Sequence, residues 1–132
     1  MKILTITAAI FLSLTINAQQ LKEHKGIHTP NVCVENTNVC AHLMFPKAPN
    51  SSDESQFIVH FMTQETIKNV NVMLWMPDMG HGSAPVTLNA LDPVHYKISQ
   101  AFFIMPGLWE VQVSFEINNE LQQIKIPVNI QE

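Results

Sequence analysis

The chain has 132 residues, 46% of them hydrophobic and only 14% charged, a length that holds one domain with or without a processed leader. Its formal charge is −4, with seven lysines and no arginine, which excludes the basic footprint of a nucleic-acid binder. Near-average apolar content with a small net charge also excludes intrinsic disorder.

Residues 1–18 have the three zones of a cleavable signal peptide. Lys2 gives the positive start, Ile3 to Ile16 an apolar run of h-region length, and Ala18 the small residue before a cut. The run is shorter than the roughly 20 residues that a membrane span needs, and polar Gln19, Gln20 and Lys22 follow at once. No later segment reaches spanning length. The expectation is a periplasmic or secreted protein whose mature part begins at Gln19 and has no membrane span; an uncleaved anchor is the competing reading.

Residues 19–54 read as an N-terminal arm. Its start is polar and carries His24 and His28. A hairpin turning at Asn36-Thr37 would set Val34 opposite Val39 and Cys33 opposite Cys40, within disulfide reach. In an exported protein a local disulfide is the leading account of this pair. A thiolate metal site and a redox-active pair are the alternatives, although the spacing is not the two-residue one of thioredoxin-like proteins. Ala41 to Phe45 reads as a first strand, ended by Pro46 and Pro49, and Asn50 to Glu54 as a polar loop.

Residues 55–132 carry the main alternation. Phe57, Val59 and Phe61 share one strand face; Ile58, His60 and Met62 share the other. Val70, Val72, Leu74 and Met76 form the next apolar face, and Val86, Leu88 and Ala90 another. Tyr96 to Met105 is extended but irregular around Phe102 and Phe103. The clearest signal is Trp109, Val111, Val113, Phe115 and Ile117 alternating with polar residues, followed by an Asn118-Asn119 turn. Ile124, Ile126, Val128 and Ile130 repeat the pattern, and Pro127 places that last strand at a sheet edge. About seven short strands without a helical period predict an all-β fold, an antiparallel two-sheet β-sandwich.

Leu74 to Pro85 (LWMPDMGHGSAP) is the most distinctive stretch. Within six residues it offers two thioethers and an imidazole, Met76, Met79 and His81. Thioethers favour Cu(I), and imidazole serves either copper oxidation state. Gly80 and Gly82 would let the backbone turn so that Met79 and His81 converge. Met105, before Pro106-Gly107, supplies a fourth donor if the two turns lie at one end of the sandwich. Against this stands a plain packing role: Met76 filling core, Pro77 and the glycines shaping a loop, Trp75 and Trp109 packing. The pairs His42 with Met44 and His60 with Met62 each share a strand face; ordinary sheet surface is the simpler account of them.

Trp75-Met76-Pro77-Asp78-Met79-Gly80-His81-Gly82-Ser83 with Pro85, then Tyr96, Phe103 and Met105-Pro106-Gly107-Leu108-Trp109-Glu110-Val111, resemble the YtkA-like domain, to which FixH-like proteins are related. The resemblance spans Gln56 to Ile130 and rests on two motifs, MPxMGHG and MPGxWEV, in the expected order. It implies an immunoglobulin-like β-sandwich, exported or membrane-anchored, linked to copper handling or respiratory oxidase assembly. The positions it marks are Met76, Met79, His81 and Met105. FixH-like members carry a transmembrane anchor, whereas this chain shows only a cleavable leader.

No nucleophile elbow, HExxH or phosphate-cradling loop is present, so the expectation is a protein without enzymatic activity. Two functions remain. One is a copper-binding module, Cu(I) favoured, that exchanges metal with a donor, an acceptor or an oxidase-assembly protein. The other is a metal-free interaction module of the cell envelope in which Trp75 contacts a partner.

Overall fold

A computed structural model describes residues 26–132; the leader read over 1–18, and His24, lie outside the described residues. Apolar residues at every second position form strands because successive side chains of an extended chain point to opposite faces. In chain order these are β1 (Ile27–His28), β2 (Val32–Cys33), β3 (Cys40–Phe45), β4 (Ser55–Met62), β5 (Lys68–Met76), β6 (His81–Gly82), β7 (Thr87–Ala90), β8 (His95–Ala101), β9 (Gly107–Ile117) and β10 (Glu120–Ile130). Seven of them are the segments that the alternation predicts. The other three, β1, β2 and β6, are two-residue pairings too short to show a period.

The strands make two antiparallel sheets. One runs β1-β3-β4-β8-β7, with β2 also paired to β3; the other runs β10-β9-β5-β6. The chain changes sheet between β4 and β5, between β6 and β7, and between β8 and β9, so the inner faces of both sheets close on one core, as in an immunoglobulin-like sandwich. Phe45, Phe57, Phe61, Phe103, Trp109 and Phe115 are its largest fully buried side chains. Phe61 of the first sheet meets Phe115 of the second edge to face, with ring centroids 5.0 Å apart, the arrangement aromatic pairs prefer.

Local chemistry sets the registers. Asn118 and Asn119 both take positive φ and join β9 to β10 in a two-residue tight turn.

 Asn118 has φ 50° and Asn119 φ 65°, and asparagine tolerates that left-handed region better than other side-chain-bearing residues. The register that follows pairs Ile117 with Glu120 and Pro127 with Glu110. Strand β10 lies at the sheet edge, where the missing proline N–H costs no ladder bond.

At the other end of the chain, Asn36 has φ 58° and Thr37 Oγ1 donates to the Val34 carbonyl, closing the expected hairpin. Cys33 and Cys40 face each other across it and form a disulfide. Strand β3 is not peripheral: it lies between β1 and β4, and Ala41, Leu43 and Phe45 are buried in the common core.

Candidate functional site

The two motifs meet at one end of the sandwich. After Met76 the chain turns through Pro77 to Gly80, with the Met79 and Gly80 amides donating to the Met76 carbonyl. Gly80 has φ +62°, the left-handed conformation that glycine adopts without a Cβ penalty. Strand β6 then runs back along β5 and sets His81 directly opposite Met76.

Three contacts, Ser83 with Phe102, His81 with Trp109 and Met76 with Gly107, tie segment 102–109 to this hairpin, and a further hydrogen bond lies within that segment. Ser83 Oγ donates to the Phe102 carbonyl. Trp109 Nε1 donates to the Met105 carbonyl at 2.8 Å, and the Trp109 ring lies edge-on to His81 with centroids 6.2 Å apart. Gly107, at φ +124°, leaves room for Met76: a Cβ on Gly107 would come within 2.9 Å of the Met76 methyl carbon. Trp109 is itself fully buried and packs on Phe103, so the anchor is rigid.

The four marked residues differ in their surroundings. Met76 is 6% exposed and belongs to the core, and Met105 is partly buried against it. His81 is partly buried, and its Nδ1 donates to the Gly82 carbonyl at 3.2 Å, which leaves Nε2 with the free lone pair. Met79 is 56% exposed on the turn. The backbone thus gathers Met76, His81 and Met105 around Trp109 and holds Met79 toward solvent. Trp75 is partly buried on the outer face of the second sheet, beside Gly82. Exposed Phe102, Ile104 and Leu108 flank Met105 in sequence.

The donor set fits a soft cation: thioethers with a neutral imidazole suit Cu(I). Among the described residues no three His, Cys, Asp or Glu side chains converge, in the arrangement shown, to hold a metal ion. Any site at this tip therefore depends on methionine sulfur.

A second group of side chains is less visible in the sequence. On the outer face of the first sheet, His42 of β3, His60 of β4 and His95 of β8 occupy one cross-strand row. His28 of β1 continues it, 5.6 Å from His42 between ring centroids. Partial burial pushes the His42 imidazole below its ordinary pKa, and the neighbouring His60, His28 and His95 add to the shift. His60 is lowered by burial and by His95, against the opposing pull of Asp92. Asp92 is held below the usual carboxylate range, chiefly by the Val94 amide and then by His95. The faces of β3 and β4 were legible; their alignment follows from register and was not.

The family model described as YtkA-like matches residues 34–114, and the chain belongs to that family. The match starts earlier than the motif resemblance at Gln56, taking in the hairpin from Val34 and strand β3, and it ends at Ser114 within β9. Comparison with curated proteins and with solved structures finds no match.

Proposed function

We propose that this YtkA-like sandwich is an exported, non-catalytic copper-binding module of the cell envelope, with Cu(I) held at the tip by His81, Met76, Met105 and Met79. The observation that supports it best is the meeting of the two motifs: His81 opposite Met76, with the Met105 backbone carbonyl bonded to the Trp109 indole that lies against His81. Bound there, copper would be kept in a soft, exchangeable environment. His81 supplies nitrogen through Nε2, Met76 and Met105 sulfur from the packed side, and exposed Met79 a donor that can swing on or off during exchange with a partner. In an oxidising compartment thioethers serve this role where free thiols become disulfides, as Cys33 and Cys40 have here.

The test is a Cu(I) titration of the protein against a competing chelator. Wild type is expected to take one copper, and a Met79→Ala, His81→Ala double variant to bind at least about tenfold more weakly, the effect of losing ~1.4 kcal/mol. Equal affinity in the two proteins contradicts the reading.

The exposed Phe102, Ile104 and Leu108 favour a second reading, a metal-free interaction module in which these residues and Trp75 contact an envelope or oxidase-assembly protein. It predicts partner capture that Trp75→Ala abolishes, with no copper bound by either protein.

A further inference from the structure

We infer that His42, His60 and His95 form a separate, all-imidazole site for a divalent late first-row transition ion on the outer face of the first sheet. The three residues come from three adjacent strands and stand directly opposite one another, His42 to His60 and His60 to His95. Their ring centroids are 5.0 Å and 4.2 Å apart, and the His60 and His95 rings are parallel to within 8°. Two nitrogens on one ion, each bound at about 2.0–2.1 Å, lie no more than about 4 Å apart; rings 4.2 Å apart come within that reach once one of them leaves the stacked orientation, in which the in-plane lone pairs run parallel.

Two further observations point to a cation rather than to plain sheet surface. Asp92 receives the His95 Nδ1–H at 2.7 Å. That contact holds the ring and leaves Nε2 unprotonated, the carboxylate–histidine arrangement that supports metal-bound imidazoles. His42 Nδ1 is shut off from solvent and finds no hydrogen-bond partner among the described residues. An unsatisfied buried nitrogen asks for an explanation, and a bound cation supplies one.

The rings do not yet converge on one point. His60 would join the Asp92-held His95 on the ion after a turn about its own broad χ2 torsion, with His42 as the adjoining ligand and water completing the shell. An open hollow of about 460 Å³, lined in part by His28, Met44, Ile58 and Lys97, lies two residues along the same strands from the row. Imidazole suits Cu(II), Zn(II) and Ni(II), and zinc is the useful probe because its protein ligands are His, Cys and carboxylate rather than thioether. Zinc binding therefore reports on this face and is independent of the copper reading.

The experiment titrates the disulfide-intact protein with Zn(II) near pH 7.5 and follows imidazole proton resonances. Wild type is expected to bind one zinc with shifts at His60 and His95. His60→Ala and His95→Ala should each weaken it by at least about tenfold, while Met79→Ala with His81→Ala leaves it unchanged. No zinc uptake up to about 1 mM overturns the inference, as does uptake that survives the His60→Ala, His95→Ala double variant. Should a variant fail to fold, the wild-type resonances decide: zinc-induced shifts confined to His24, His28 or His81 also overturn it.

Discussion

Met76 and Met79 lie three residues apart in one motif, yet they are physically unlike. Met76 faces inward beside Leu74 and fills the space that Gly107 leaves open. Truncating it to alanine removes buried methylene and sulfur contacts, so Met76→Ala should cost about 2–4 kcal/mol in urea unfolding. Met79→Ala, on the exposed turn, should change stability by less than about 0.5 kcal/mol while weakening copper binding. Equal stability losses in the two variants would contradict this assignment. Gly107→Ala combines a positive φ with a clash on the Met76 methyl carbon and should destabilise by more than about 1 kcal/mol, read from the same unfolding midpoint. The sequence showed the spacing of these residues but not which sulfur is packed and which is free, because burial depends on the facing sheet.

At the level of strands, alternation was legible wherever one face is buried, as in β9, and Pro127 correctly marked β10 as an edge. Gln112 departs from the simple pattern. It sits on the polar face of β9 yet is buried, because β9 is an interior strand whose outer face is crowded by Met73 and Lys125 on either side. The histidine row was hidden for a related reason: its members come from separate strands, and only register aligns them. That row gives the fold a pH dependence. The folded state lowers the His42 and His60 values from 6.5, so the unfolded chain binds more protons as pH falls. Their contribution to stability is complete above about 6.5 and is lost as pH drops through the lowered folded values. Of the groups facing them, His28 opposes protonation of His42, His95 opposes protonation of both, and Asp92 favours protonation of His60; Lys97 lies on the same face, opposite Ile58. The urea midpoint should fall between about pH 7.5 and pH 5, and a His42→Gln, His60→Gln variant should flatten that fall. A midpoint that rises toward pH 5 would contradict the sign.

On the scale of the molecule, residues 26–54 of the arm and the sandwich are one packed unit. Strand β3 contributes Ala41, Leu43 and Phe45 to the core, and the disulfide closes the hairpin that leads into it. A loop with a sequence separation of seven residues restrains the unfolded chain modestly, so a Cys33→Ser, Cys40→Ser variant should lose about 2–3 kcal/mol, measured by chemical unfolding, and remain folded. The sandwich brings its two motifs to a single end, and the proposed copper chemistry depends on that convergence. X-ray absorption on the Cu(I)-loaded protein tests it most directly. Sulfur and nitrogen bound to one copper, with the sulfur contribution reduced in a Met79→Ala, Met105→Ala variant, is the predicted result; copper bound by nitrogen alone would contradict it.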